Sequence, residues 1–332
     1  MKEHMAGSTI RDVARRAQVS VASVSRVLNG FEKVSDETRE RVAEAVSALG
    51  YVPHAAARSL SMARTHSVAV VLPDLHGEFF SEIVRGMDRV ASERGYLLLL
   101  SSLHSGSALG TSALRALRGR VDGALVMAPH LSEEELAETL PPGVAVVLLN
   151  TRSKAEGRTS ITLDNAAGAR EVAEHLLAQG RKRIVQIAGP LGNADAQERA
   201  EAFAAALEAD GSVLLETVHG DFTEESGETA TTALLAAGHS FDALFAANDN
   251  MALGALQALR KAGLQVPEQV AVAGFDDIPL ARHVGLTTVR VHIADLGEQA
   301  LTALIDSIEG SGAAASMVHP AELVVRRTTG QA

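Results

Sequence analysis

Thr9-Ile-Arg-Asp-Val-Ala-Arg-Arg-Ala17, Gln18-Val-Ser20 and Val21-Ala-Ser-Val-Ser-Arg-Val-Leu-Asn29 decide how this chain is built. Thr9 is placed to cap a first helix, and Asp12 three positions on completes a capping-box pattern. Val13, Ala14 and Ala17 form the inner face of that helix. Ser20 caps a second helix, whose Val24, Val27 and Leu28 repeat at the spacing of one helical face. Ser35 opens a third helix over Asp36–Leu49, with acids in its first turn and Gly50 as its stop. Val42, Val46 and Leu49 complete a small core. Two short helices joined by a tight three-residue turn are the grammar of a helix-turn-helix DNA reader, placed here at residues 8–52.

Beyond it, Pro53-His-Ala-Ala-Ala-Arg-Ser-Leu60 opens a hinge and linker over residues 53–66. The pattern changes at Ser67. Short β-rich runs recur at Val68–Leu72, Tyr96–Leu100, Gly123–Met127, Val144–Leu149, Ile161–Leu163, Ile184–Ala188, Val213–Val218, Ala243–Ala246 and Val270–Ala273. Helical stretches fall between most of them, at Phe79–Glu93, Ala108–Leu117, Asn165–Gln179, Ala196–Ala209, Glu224–Ala237 and Asn250–Lys261. Alternating strands and helices predict an α/β domain of parallel sheets covered on both faces. Roughly ten strands are too many for one sheet, so two lobes are expected. Leu286–Val291 reads as a further strand, Ile293–Ile308 as a helix and Leu323–Arg327 as a terminal strand. No leucine heptad follows, which predicts a dimer without a coiled-coil tail.

Composition narrows the function. Apolar residues make up 46% of 332, as in a packed globular chain. Cysteine is absent, so disulfides and thiolate metal sites are excluded. The polar N-terminus and the lack of long apolar runs predict a cytoplasmic protein, with no membrane association. The net charge of −11 is unevenly spread. Residues 1–66 hold 10 Lys and Arg against 7 Asp and Glu, and the remainder holds 20 against 34. Such asymmetry confines nucleic-acid contact to the N-terminal module. There is no Gly-rich loop ending in Gly-Lys-Ser/Thr, no Gly-x-Ser-x-Gly and no metal spacing among the His residues. Neither an enzyme nor a cofactor is expected.

The chain resembles the LacI/GalR family of bacterial transcription regulators. The first block that carries the resemblance runs from Ile10-Arg-Asp-Val-Ala14 to Val24-Ser-Arg-Val-Leu-Asn29, followed by Tyr51-Val-Pro53 and Ala57-Arg-Ser-Leu60. The second is Phe79-Phe80 with Glu82 and Gly86. The third is Val266-Pro-Glu-Gln-Val-Ala-Val-Ala-Gly-Phe-Asp-Asp277, then Leu286-Thr-Thr-Val289. The resemblance implies a small helix-turn-helix domain plus a two-lobed sensor like periplasmic sugar-binding proteins, residues 67–330. Its N-lobe would be about 67–162 plus 292–322, and its C-lobe about 163–291 plus 323–330. Members often place proline before the Leu-Thr-Thr run. Arg282-His-Val-Gly285 stands there instead, which predicts a looser connection.

At the reader, Val21, Ala22, Ser25 and Arg26 are the candidates for base edges. Arg26 suits a bidentate pair with guanine, whereas Val21 and Ala22 suit thymine methyls. Thr9, Ser20, Ser23 and Asn29 are placed for phosphates, which position without reading sequence. The resemblance makes Leu60, flanked by Ala57 and Arg58, a wedge that enters the minor groove and bends a palindromic operator. In isolation Leu60 would read as an ordinary linker residue.

For the sensor, the resemblance nominates Phe79, Asn150, Asn193, Asp195, Arg199, Phe222, Asn248 and Asp276 around a small effector between the lobes. Several of them follow strands, where open α/β sheets bind ligands. Amides, a carboxylate and a guanidinium fork suit vicinal hydroxyls, and phenyl rings suit an apolar sugar face. Phe79 and Phe80 read equally well as core, and Asp249 as a helix cap. The expected partners are double-stranded operator DNA, a sugar or sugar derivative, and a second copy of the chain. The alternatives are a sugar-binding transport protein and a catabolite regulator that depends on a corepressor or phosphoprotein.

Overall fold

The computed structural model describes residues 8–29, 34–52, 64–103, 117–140, 143–151, 158–211 and 213–330. The expected helix at Ala108–Leu117 lies almost wholly outside them, as do the hinge candidates Ala57, Arg58 and Leu60. The chain divides into two compact units, at His66 and Ser67.

Among the described residues the first unit has three helices: α1 (Ile10–Ala17), α2 (Val21–Leu28) and α3 (Asp36–Leu49). Val13, Ala14, Ala17, Val24, Val42 and Ala45 are its buried core. Thr9 and Asp12 form the expected reciprocal capping box, and Ser20 Oγ accepts from Ser23 N at 3.0 Å. Ser35 departs from expectation. It precedes α3 without bonding to its backbone, and its Oγ stands 2.9 Å from Thr38 Oγ1 instead. The turn between α1 and α2 needs Gln18 in the left-handed region, φ 54°, and Arg41 of α3 donates to the carbonyls of Ala17 and Gln18.

Among the described residues the second unit holds three sheets. Six parallel strands, β1 (Ser67–Leu72), β2 (Leu97–Ser102), β3 (Gly123–Val126), β4 (Ala145–Leu149), β5 (Thr159–Leu163) and β11 (Ser316–His319), lie in the order β11-β5-β4-β3-β1-β2. Four more, β6 (Arg183–Ala188), β7 (Leu214–His219), β8 (Ala243–Ala246) and β9 (Ala271–Ala273), lie parallel as β7-β6-β8-β9. β10 (Thr288–Arg290) pairs antiparallel with β12 (Glu322–Val324). Alternation along β1 explains why both faces are covered. Val68, Val70 and Leu72 join one apolar cluster, and Ala69 and Val71 join another.

Helices α4 (Glu78–Arg94), α5 (Glu133–Thr139) and α11 (Ile293–Glu309) belong with the larger sheet. Helices α6 (Asn165–Ala178), α7 (Ala194–Asp210), α8 (Glu224–Ala236), α9 (Asp249–Lys261) and α10 (Pro279–Val284) belong with the smaller one. α4 and α11 cross in backbone contact. A Cβ on Gly86 would stand 2.0 Å from Ala294 O. The chain passes between the sheets three times, from β5 to α6, from β10 to α11 and from β11 to β12. Asp164 N donates to His319 O at 3.0 Å, so the first and third crossings run side by side.

Three local readings need correction. Residues before Leu286 form α10, closed by Gly285 at φ 66°, so the connection is ordered rather than loose. The terminal strand is only Glu322–Val324, and Arg327–Thr329 turn as a short 3-10 helix. β11 and α5 had no counterpart in the sequence reading.

Candidate functional site

On α2, Val21, Ala22 and Arg26 are exposed and Ser25 is half-buried, while Val24 alone is fully buried. The helix therefore turns Val24 inward, with Val27 and Leu28 packed beside it, and leaves Val21, Ala22 and Arg26 on the outer face. Thr9 and Ser20 are exposed at the first positions of α1 and α2. Ser23 Oγ lies 2.9 Å from Ser20 Oγ, and Asn29 Nδ2 donates to Ser25 Oγ at 3.3 Å.

In the second unit, the candidate residues cluster where strands end. Asn150 follows β4, Phe222 follows β7, Asn248 follows β8 and Asp276 follows β9. Asn150, Phe222 and Asp276 take positive φ angles of 43°, 72° and 114°, as does Asp277 at 56°. Left-handed backbone on non-glycine residues costs energy, and it gathers at sites whose surroundings hold it.

The centre of the arrangement is Arg199 on α7, only 4% exposed. Its Nε donates to Asn165 Oδ1 at 2.8 Å, and its Nη1 donates to Ala247 O at 2.6 Å and to Asp276 Oδ1 at 3.2 Å. Its guanidinium carbon lies 3.7 Å from the ring centroid of Phe275, a cation–π contact. Among the described residues, no protein group accepts from Nη2. Burial pushes the Asp276 carboxyl up, Arg199 pulls it down and Asp195 pushes it up again, leaving it at about 7. Asp195 itself accepts from Asn165 Nδ2 at 2.9 Å.

Asn193 caps α7 through Ala196 N at 3.0 Å. Asn248 caps α9 through Met251 N at 3.0 Å, and its Nδ2 donates to Phe222 O at 3.0 Å. The ring of Phe222 sits against Gly189, where an added Cβ would stand 2.6 Å from it. Asp249 is not the cap. It is wholly buried, accepts from Thr288 Oγ1 and Ile278 N, and its carboxyl is pushed well up by burial and then by Asp276.

Asn150 and Phe79 belong to the lobe of the six-stranded sheet. Phe79 is half-buried and stacks edge-to-face on Phe80, with centroids 5.4 Å apart. Asn150 is 3% exposed, and among the described residues neither of its amide atoms has a hydrogen-bond partner. Its backbone N–H is held by Ile161 O at 2.8 Å. The two lobes touch at Ala194 N to Pro129 O, 3.1 Å, and at Leu280 N to Glu78 Oε2, 2.9 Å.

The structure also brings in residues that the sequence reading missed. Asn165 and Phe275 hold Arg199. Asp277 accepts from Arg290 Nε at 2.7 Å and Arg326 Nη2 at 2.6 Å, tying the chain's last segment to this lobe. Phe275 and Asp277 already lay in the quoted Gly-Phe-Asp-Asp run. Asn165 gave no signal beyond starting a helix. Among the described residues no group of side chains could hold a metal ion, and no helix is long and apolar enough to cross a membrane.

Known proteins share these features. The family model for bacterial regulatory proteins of the lacI family matches residues 9–54, and that for a periplasmic binding protein-like domain matches residues 173–329. The ribose operon repressor of Halalkalibacterium halodurans is 36% identical over 326 residues, 97% of each chain. A crystal structure of the Lac repressor dimer, bound to operator and the anti-inducer ONPF, superposes with a TM-score of 0.88 at 30% identity, covering 98% of this chain and all of that one. A complex of the transcriptional regulator CelR with cellobiose gives a TM-score of 0.71 at 34% identity, covering 97% and 99%. These relatives are transcription regulators rather than enzymes. A helix-turn-helix reader followed by a two-lobed sensor, matched over nearly the whole chain at this identity, places the protein in the LacI family of bacterial regulatory proteins, as a ligand-responsive DNA-binding transcription regulator.

Proposed function

We propose that this protein is a sugar-responsive repressor, which binds a palindromic operator as a homodimer and takes its effector between the two sensor lobes. The observation that carries the effector reading is Asn150. A buried amide with no partner costs about 1–3 kcal/mol, and a ligand hydroxyl that both donates and accepts removes that cost. Arg199, Asp276, Asp195, Asn193 and Asn248 supply polar groups from the other lobe, and Phe79 and Phe222 supply apolar faces. The names of the relatives, a ribose operon repressor and a regulator bound to cellobiose, favour a carbohydrate.

The homodimer rests on a surface. Among the described residues β2 is an edge strand, and Leu97, Leu99 and Leu100 stand exposed along it. A run of exposed leucines beside open backbone groups suits a second copy of the same edge region. On DNA, residues 8–52 carry the reader, and Val21, Ala22, Ser25 and Arg26 face the bases. Thr9, Ser20, Ser23 and Asn29 bind phosphates, and Leu60 with Ala57 and Arg58 bends the operator centre. The protein works in the bacterial cytoplasm.

A thermal-shift screen against pentoses, hexoses, disaccharides and nucleosides tests the effector reading, because a ligand bound only by the folded state raises the melting temperature. One sugar should raise it, and Asn150→Ala should abolish that rise. A shift given by nucleosides alone would overturn the sugar reading. For the interface, Leu99→Lys should turn a sedimenting dimer into a monomer.

A further inference from the structure

Asn165 stands at the start of α6, directly after the chain leaves β5 for the other lobe. Its side chain is completely buried. Asp164, just before it, caps α6 through Ala167 N at 3.1 Å and is tied to the third crossing through His319 O. One turn further on, a Cβ at Gly168 would stand 2.6 Å from Val289 Cγ1 and 3.0 Å from Phe275 Cε2. The first turn of α6 is therefore pressed against the same ring that carries the Arg199 guanidinium.

Both ends of the Asn165 amide are committed. Oδ1 accepts from Arg199 Nε at 2.8 Å, whereas Nδ2 donates to Asp195 Oδ1 at 2.9 Å and to Glu198 Oε2 at 3.4 Å. An aspartate in this place would keep the acceptor but lose the donors, and would set a further carboxylate beside two others. A leucine would serve neither arm. The amide is thus chemically specific to its two partners. Both partners, Arg199 and Asp195, are effector candidates, and they meet through this one side chain.

We propose that Asn165 is a positioning residue of the effector site, whose amide fixes the guanidinium of Arg199 and the carboxylate of Asp195 in the orientation that receives the ligand. This rests on the effector reading above. Asn165 acts through its neighbours and touches no ligand itself. Without it, Arg199 keeps the Ala247 carbonyl and the Phe275 ring but loses the acceptor that sets its rotation. The hold of its Nη1 on Asp276 then loosens, and Asp195 loses the Asn165 amide as a donor.

Full-length Asn165→Ala is compared with the unaltered chain in two measurements. The first needs no ligand: with 13C-labelled aspartate, the Asp276 carboxyl is titrated by NMR. Releasing Arg199 should move that titration upward by roughly one unit. The charged or titratable groups that act on it are Arg199, Asp195 and Asp249, with Asp277 next to it in the chain, and none of them is changed. A purely structural role for Asn165 would leave the titration in place. The second is calorimetric titration with ribose and with cellobiose. A sugar that binds the unaltered chain should bind the variant about tenfold more weakly. Asn165→Ser takes the place of the alanine variant if that chain does not fold. An unmoved Asp276 titration in a folded variant overturns the proposal, and so does unchanged affinity for a sugar that binds. If neither sugar binds the unaltered chain, the sugar that shifts the melting temperature in the screen replaces them; if none does, the sugar reading fails, and the Asp276 titration alone decides whether Asn165 sets Arg199.

Discussion

Arg199 Nη1 stands 3.2 Å from Asp276 Oδ1, and both side chains are shut away from water. Two effector candidates are therefore each other's partners. Their pairing ties both candidates to the stability of the sensor. Removing one leaves the other buried, and burying a lone charge is costly.

Arg199→Ala should destabilise the sensor by about 3 kcal/mol, near the lower end for a broken buried pair. The lower end applies because Asp276 can take up a proton in response. Urea unfolding measures the loss. Operator affinity without effector should stay as it was, since residues 1–66 form their own unit. A loss below about 1 kcal/mol would mean that the pair is unimportant.

Asp276 predicts a pH dependence. Its carboxyl lies at about 7 in the folded chain, against an ordinary aspartate value of 3.8. Between these two values the folded state holds a proton that the unfolded state has released. Stability from this group is therefore full below about pH 4, falls as pH rises towards 7 and is level above that. Asp249 is raised too and acts in the same direction. Melting temperatures at pH 5, 6, 7 and 8 should show the decline, and Asp276→Asn should reduce it. An equal slope in the variant would assign the decline to other groups.

Asn248→Ala should cost about 1–2 kcal/mol, by removing the cap of α9 and the hold on the Phe222 carbonyl. Phe222, freed from its left-handed conformation, should then contribute less to effector binding. Effector titration alongside thermal melting separates the two losses. Unchanged effector affinity would detach Phe222 from the site.

Arg26→Ala should weaken operator binding by about 1–3 kcal/mol per half-site and erase the preference at one base. Its exposed place on α2, one turn beyond Ala22, supports this role. Selection from a random DNA pool is the measurement. Recovery of the same base preference with the variant would return Arg26 to the solvated surface.

Much of this molecule was legible in its sequence, because the signals are local. The caps at Thr9 and Ser20, the inward stripe of α2 and the alternation of β1 depend on residues a few positions apart. Chain physics at that range needs no knowledge of the rest of the fold. Resemblance to a family extended the reading to Asn150, Arg199 and Asp276, residues scattered along the chain. The weaker signals failed where elements are short. β11 and α10 have four and six residues, too few for a period to show.

Tertiary structure alone decided which polar residues are partners. No spacing announces that Arg199 meets Asp276 across 77 positions, or Asn165 across 34. Those contacts exist because α6, α7 and the β9 loop converge where strands end. Burial there makes an unpaired polar atom costly, so Arg199, Asp276 and Asn165 take the partners that the packing brings. Asp249 illustrates the point. Its place beside Asn248 reads as a cap, yet the fold buries it under Thr288 and Ile278 and leaves the capping to its neighbour. Sequence therefore determined the elements and the two-part plan. The chemistry of the site was set by which carboxylates, amides and guanidinium the fold enclosed together, because desolvation acts on neighbours in space and not along the chain.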